Sequence, residues 1–254
     1  MNDGLLLIVF LTAMALMALY KTFLKPKLKG IYGESIVALQ LSQLSSKKYK
    51  ILNDVLIQND VRSSQIDHIV VSNYGVFVIE TKNFSGWIFG NEHSNNWTKT
   101  LYKKKYHFRN PILQAWGHIT TLKAVLSDCH HTPYFPIVVF TGNSTLRNIK
   151  ANVPVVKTGG LIRHIKNESN TEHLSNEAVD QIYNKLVRLN KTDKASRKFH
   201  IRKAKSYHGR DVKSRTCPGC GSNLIEKTAK KGFSAGKQFL GCSNYPICRF
   251  AKSM

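Results

Sequence analysis

Acidic residues are scarce in this chain. Over 254 residues, 15 Asp and Glu stand against 38 Lys and Arg, a formal net charge of +23 and a pI near 9.9. That surplus excludes a polycationic partner and points to polyanions, either nucleic-acid backbones or anionic lipid, between which charge alone does not choose. Cysteine is scarce too. Of five, only Cys129 precedes residue 217, so no disulfide framework holds the body of the chain, and Cys129 reads as a buried thiol. Basic residues are missing ahead of Lys21, and Asp3 stands where the basic region of a cleaved signal peptide is expected.

What is there begins with an apolar run. Leu5 to Leu24 carries one charge, Lys21; at 1.5 Å per residue it spans about 30 Å, the thickness of a hydrocarbon core. Lys21 lies near enough to the end to snorkel. Lys21, Lys25, Lys27 and Lys29 all follow the run or sit at its end, so the positive-inside rule leaves the rest of the chain in the cytoplasm. The expectation is a single-pass anchor over residues 1–28 in a cell inner membrane; a buried helix of a soluble fold is the alternative.

The stretch Gln65 to Asn83, QIDHIVVSNYGVFVIETKN, carries two β-branched runs separated by Asn73-Tyr74-Gly75. This predicts a two-stranded hairpin. Side chains alternate along a strand, so Glu80 and Lys82 share a face. With Tyr74-Gly75 as the two-residue turn, Asp67 falls opposite Lys82, and any register in which paired numbers have an odd sum keeps Asp67 on that face. Two carboxylates and an ammonium suit phosphodiester chemistry. Magnesium or manganese takes hard oxygen ligands, here Asp67 and Glu80, while Lys82 offsets charge or orients the nucleophile. An edge-strand Glu-Lys pair in solvent is the plainer reading of the same spacing.

Further blocks extend the pattern: G-x-x-G-E at Gly30 to Glu34, L-N-D-V at Leu52 to Val55, Q-I-D-H-I-V-V at Gln65 to Val71, G-V-F-V-I-E-T-K-N at Gly75 to Asn83 followed by Ser85-Gly86, and N-P-x-x-Q at Asn110 to Gln114. In this order, over roughly residues 29 to 160, they resemble the nuclease-related domain (NERD). That family is similar to the restriction-endonuclease-like PD-(D/E)xK nucleases. The resemblance implies an α/β fold with a restriction-endonuclease-like core, a mixed sheet flanked by helices. It also implies a catalytic set of Glu34, Asp67, Glu80, Lys82 and Gln114. Ile66 stands where the name-giving motif has proline, which removes no ligand. On position alone, Glu34 is also a favourable first-turn acid and Gln114 an ordinary surface glutamine.

The remaining elements fit an α/β order: a helix over Gly33–Leu44, a strand over Tyr49–Ile57, a short strand at Trp87–Phe89, and a helix from Pro111 to Leu126 with proline at its first turn. Strands at Pro136–Thr141 and Val153–Lys157 follow, then a helix capped by Ser175. Asp54 reads as a turn or strand-end residue, and Trp87, Trp97 and Trp116 as core.

At the other end, Cys217 and Cys220, then Cys242 and Cys248 after 21 intervening residues, form two pairs at knuckle spacing. This is the pattern of a tetrahedral four-thiolate zinc site, closed and structural. Two disulfides would be the alternative in an exported protein. About forty residues build little core, so metal ligation would supply folding energy directly. The segment 217–250 also resembles the zinc ribbon at the C-terminus of bacterial type I topoisomerases. The resemblance implies binding to DNA, single-stranded by preference, with Phe239, Tyr245 and Phe250 available to stack; it implies no topoisomerase activity.

Residues 191–215 hold ten Lys/Arg against two acids, and residues 216–254 hold six against one. A basic, apolar-poor connector is expected to be flexible and to attract phosphate backbones. The organisation expected is thus an anchor (1–28), a nuclease-like domain (29–190), a basic linker (191–215) and a four-cysteine zinc ribbon (216–254). The function expected is metal-dependent hydrolysis of DNA at a membrane. A non-catalytic, membrane-tethered nucleic-acid-binding adaptor is the alternative.

Overall fold

The computed structural model describes residues 2–58, 63–129, 132–193, 195–201, 217, 222–229, 235–243, 245 and 250–253. Helix α1 (Asn2–Leu19) runs through a π-helical turn, Tyr20–Leu24, directly into α2 (Lys25–Leu41). The expected helix at Gly33–Leu44 is therefore the inner half of one long rod. Pro26 explains the π turn. A proline ring clashes with the carbonyl four residues back, and widening the turn so that the Lys25 N–H bonds Tyr20 relieves the ladder just before it. Among the described residues this helix, from Leu7 to Leu41, has a stretch long and apolar enough to cross a membrane, with a mean hydropathy of 2.0. Its outer residues are exposed, while Gly33, Val37 and Leu41 are buried in the globular part.

Five strands form the central sheet in the order β1-β2-β3-β7-β9: β1 (Tyr49–Gln58), β2 (Ser63–Ser72), β3 (Gly75–Asn83), β7 (Tyr134–Thr141) and β9 (Val155–Lys157). The first three are antiparallel and the last three parallel, giving a mixed sheet. Both faces are covered, which is why these strands read as nearly continuous apolar runs. On one face Ile69, Val71, Val76 and Val78 pack with Ile119 and Leu122 of α3 (Pro111–Val125) and with Ile182 and Leu186 of α5 (Asn176–Leu189). On the other, Val70, Phe77 and Ile79 pack with Val37 and Leu41 of α2 and Leu161 and Ile165 of α4 (Leu161–Glu168).

A second sheet, in the order β6-β5-β4-β8, comprises β4 (Gly86–Asn91), β5 (Asn96–Leu101), β6 (Lys104–Arg109) and β8 (Ser144–Lys150). Only a strand near Trp87 was expected there. A three-stranded C-terminal sheet follows, β10 (Leu224–Thr228), β11 (Gln238–Cys242) and β12 (Ala251–Ser253). Residues 195–201 are helical and lie against the sheet edge: Asn190 Oδ1 accepts from the Leu56 N–H, Lys191 N–H donates to the Leu56 carbonyl, and Arg197 reaches Asp54. This first part of the expected flexible linker is packed structure. Residues 202–216 lie outside the described residues.

Candidate functional site

The hairpin turn is Asn73-Tyr74, one residue earlier than expected: Ser72 pairs with Gly75 and His68 with Ile79. Gly75 has φ +136, and a Cβ there would sit 2.8 Å from the Pro133 carbonyl and the Phe135 ring. Glycine is therefore needed as the first residue of β3 rather than inside the turn. The paired numbers still have an odd sum, as the shared face requires, but continuing the register brings Asp67 level with Glu80 rather than Lys82.

Strands β1 and β2 kink together beside Asp67. Asp54, expected at a turn or strand end, lies inside β1 with φ 52, in the left-handed region. On β1, Tyr49 and Ile51 face α2 while Val55 and Ile57 face α3, so the strand exchanges faces at Asp54. Partner strand β2 exchanges between Ile66 and Ile69. The register through Asn53↔His68 and Val55↔Ile66 is otherwise continuous, so the two strands turn together at Asp54 and Asp67. Two residues before Ile69, Asp67 shares the α3-facing side with Glu80, and its Oδ2 accepts the Thr81 N–H at 2.7 Å.

Glu80 is 3% exposed and both of its oxygens are engaged. Oε1 accepts from Lys82 Nζ, and Oε2 lies 3.0 Å from His118 Nε2 on α3. His118 Nδ1 in turn lies 2.6 Å from Ser64 Oγ on β2. The pattern reading missed His118 and Ser64. His118 follows Gln114 by four residues, one turn along the same helix face, and that spacing was the available signal. Gln114 itself is half-buried, and among the described residues no side-chain hydrogen bond joins it to the other site residues.

Glu34 arrives from the opposite face of the sheet. It is on α2, held close by Gly33, where a Cβ would stand 2.6 Å from Asn83 Cβ and 2.8 Å from Thr141 Oγ1. The Asn83 amide also donates to the Lys29 carbonyl at 2.6 Å. Glycine in G-x-x-G-E is thus a packing requirement that lets the helix approach the end of β3.

The charges are unequal in effect. Burial, then the charge of neighbouring Glu80, pushes the Asp67 carboxyl well above its usual range. Glu80 is drawn down to about 2: burial opposes this, but Lys82 and His118 outweigh it. Lys82 is raised because Glu80 and Asp67 outweigh its own burial. Glu34 is raised by burial, Asp54 and Glu80. His68, beside Asp67, is 1% exposed and pushed down to about 4 by burial; its Nδ1 is 2.7 Å from Asn53 Oδ1, and among the described residues its Nε2 has no hydrogen-bond partner. Glu80 raises both Asp67 and Glu34 by its charge, a repulsion that a divalent cation relieves. The donor set fits such an ion as a two-carboxylate site. Among the described residues no group of three or more His, Cys, Asp or Glu is arranged around one point.

The C-terminal sheet docks beside this site. Leu113, in the first turn of α3, packs with Cys217, Leu224, Cys242 and Phe250. Arg109, which the pattern reading also passed over, feels the charges of both Glu80 and Cys217. Cys217 N–H donates to the Ser222 carbonyl and Tyr245 N–H to the Cys242 carbonyl. The two buried thiols suit a closed zinc site; Cys220 and Cys248 lie outside the described residues. Of the proposed stacking groups, Phe250 is core, Phe239 half-buried, and Tyr245 62% exposed with Lys227 Nζ 5.0 Å over its ring. Trp97 is buried and Trp116 half-buried, whereas Trp87 is 47% exposed, against expectation. Cys129 is partly buried.

Comparison with known proteins agrees with these two units. The nuclease-related domain model matches residues 29–141, and that of the topoisomerase DNA binding C4 zinc finger matches residues 214–254. An uncharacterised protein of Bacillus anthracis, pXO1-01, is 33% identical over 181 residues, covering 70% of this chain and 84% of that protein. DNA topoisomerase 1 of Rickettsia prowazekii is 42% identical over 59 residues, and that of Archaeoglobus fulgidus 53% over 34 residues. Those matches cover 22% and 13% of this chain but only 7% and 4% of the two enzymes. A solved structure, AF1548, of a protein of unknown function aligns over 71% of this chain and 99% of its own at 11% identity, with a TM-score of 0.27, too low to carry an argument. The chain therefore belongs to the nuclease-related domain family and carries a topoisomerase-type C4 zinc finger at its C-terminal end.

Proposed function

We propose that the chain is a membrane-anchored, metal-dependent nuclease that hydrolyses phosphodiester bonds of DNA. The carrying observation is the convergence of Asp67, Glu80 and Lys82 on one side of the β2–β3 hairpin, with Glu34 close enough for its charge to be felt. This arrangement supports a PD-(D/E)xK core. Asp67 and Glu80 would hold magnesium or manganese, which when bound supplies a polarised phosphoryl group and a more acidic water. Lys82 stays protonated at neutral pH, so it acts as a fixed positive charge for the phosphoryl oxygens rather than as a base. Glu80, ionised throughout the physiological range, keeps that ammonium in place. Thr81 N–H fixes Asp67, and His118 fixes Glu80 from α3.

The zinc finger supports DNA as the substrate, single-stranded by preference, because its exposed Tyr245 and the basic composition of residues 216–254, six Lys/Arg against one acid, suit stacking and phosphate contact. Its seat on Leu113 would bring bound strands to the Arg109 side of the site. The apolar helix supports single-pass insertion in a cell inner membrane, with residues beyond Lys25 in the cytoplasm and cysteines reduced for zinc. The domain limits 29–190, 191–215 and 216–254 are proposed with one change, since Lys191 and Arg197 contact β1.

A second reading has its own observation. Both Glu80 oxygens are already engaged, by Lys82 and His118, as they would be in a tethered adaptor that binds nucleic acid without cutting it. Incubating the full chain in detergent with single- and double-stranded DNA and RNA, with either metal and with a chelator, separates the two. Metal-dependent cleavage supports the nuclease; binding without cleavage of any substrate supports the adaptor.

A further inference from the structure

The second sheet has a surface that nothing in the nuclease reading uses. Apart from Arg109, which faces the site, its β5–β6 hairpin, residues 96–109, contains Lys99, Lys103, Lys104 and Lys105 and no acid. Aromatic rings are interleaved with them. Tyr102, at the hairpin tip, is 93% exposed and has φ 53. A non-glycine residue in that region costs about 1 kcal/mol or more, and a fully exposed ring contributes nothing to a core. Tyr106 and Trp87 are also exposed. Cations sit on these rings: Arg147 lies 4.2 Å over Trp87, and Lys99 lies 4.9 Å from Phe84 and 5.0 Å from Tyr106.

Position decides what this face meets. Lys29 is five residues, or roughly 7.5 Å along the axis, beyond Leu24 at the end of the apolar run. Its Nζ lies 3.1 Å from Ser85 Oγ, the residue just before β4, and it is close enough to Lys99 for their charges to oppose. The headgroup layer extends about 5–8 Å beyond the hydrocarbon. The lysines and rings of β4–β6 therefore begin at headgroup height. A mixture of Trp, Tyr and Lys is what the membrane interface selects, each Lys near an anionic surface contributing about 1 kcal/mol.

We propose that the β4–β6 face docks onto anionic lipid headgroups of the same membrane that the N-terminal helix crosses. This rests on the membrane-spanning part of the reading above and not on cleavage. Docking would fix the tilt of the domain and hold Glu34, roughly 15 Å along the helix from Leu24, at a set height above the bilayer.

The test uses the full chain in vesicles of phosphatidylcholine, with and without phosphatidylglycerol, all containing brominated acyl chains that quench nearby tryptophan. The expected result is strong quenching of the emission that Trp87→Phe removes, greater with anionic lipid. That anionic dependence should vanish in the combined variant Lys99→Gln, Lys103→Gln, Lys104→Gln, Lys105→Gln with an unchanged melting temperature. Equal quenching in both lipids, or an anionic effect that survives the four substitutions, overturns the proposal. So does loss of DNA affinity in the variant with lipid quenching intact, which assigns the face to nucleic acid. Failure of the full chain to float with neutral vesicles removes the span and the docking together, while leaving cleavage as a separate question.

Discussion

Glu80 Oε2 and His118 Nε2 meet at 3.0 Å across the interface of β3 and α3. The contact joins the acid of the E-x-K pair to a helix that the hairpin alone would never have indicated, and through His118 to Ser64 on the neighbouring strand. His118→Ala leaves a buried carboxylate with Lys82 alone. The expected cost is about 1–3 kcal/mol of stability and a loss of cleavage on the order of 10–100-fold, carried in kcat with KM little changed. His118→Gln, able to donate to Glu80, should restore part of it. Unchanged turnover in both variants would show that this bond is structural only.

Gly33 makes a separate claim about approach. Gly33→Ala places a methyl 2.6 Å from Asn83 Cβ and 2.8 Å from Thr141 Oγ1, so α2 must lift, at about 1–3 kcal/mol. Gly30→Ala is the control, since a Cβ there meets nothing within 4 Å, and it should gain up to about 1 kcal/mol of helix propensity. Thermal melting of the two variants checks the contrast, which fails if both shift the same way.

His68 gives the fold a pH dependence with a defined sign. Its pKa falls from 6.5 to about 4 on folding, burial being the first cause. The unfolded chain therefore takes up a proton first as pH drops, and stability should decline between pH 6.5 and 4 and then level off for this group. The span corresponds to about 3 kcal/mol at most. Glu80 acts lower, its depressed pKa contributing stability that is lost from the ordinary carboxylate range down towards pH 2. Denaturant melts of the wild type and His68→Asn in chelator should differ in slope above pH 4. Parallel curves would contradict the buried neutral imidazole.

The tail separates two sources of DNA affinity. Elemental analysis should find one zinc per chain, lost in Cys217→Ser, with packing around Leu113 loosened. Truncation after residue 201 should flatten the salt dependence of DNA binding by removing much of the basic tail and the finger. A cut at 190 should also destabilise the domain, because Asn190, Lys191 and Arg197 hold β1. A salt slope unchanged by the cut at 201 would move the binding surface to the core.

The parts of the fold legible beforehand were those with dense apolar pattern. The two hairpin strands, the helix from Pro111 and the helix capped by Ser175 bury continuous or 3.6-spaced apolar residues; the Pro111 helix ends within one residue of its expected limit, and the last helix starts directly after Ser175. Strands β5 and β6 hid because they are half-solvated, basic and joined by Tyr102-Lys103, a turn without glycine. The helix at Leu161–Glu168 is two turns long and buries Leu161 and Ile165, with Ile162 partly buried beside them. At the site, Asp67, Glu80 and Lys82 were visible through alternation. The turn lies one residue earlier than expected because Gly75 opens β3 at a place where a Cβ would meet Pro133 and Phe135, neighbours that only the folded chain supplies. Asp54 and Arg197, 143 positions apart, could not be paired from local pattern, nor could Leu113 with the zinc finger.

The central claim is that Asp67 and Glu80 together make one hydrolytic site. The most direct measurement is cleavage of single- and double-stranded DNA by the purified full chain in magnesium or manganese, with Asp67→Ala and Glu80→Ala alongside at matched folding and zinc content. The account predicts metal-dependent cleavage by the wild type that both substitutions abolish while DNA binding through the finger persists. Cleavage that survives either substitution would contradict it.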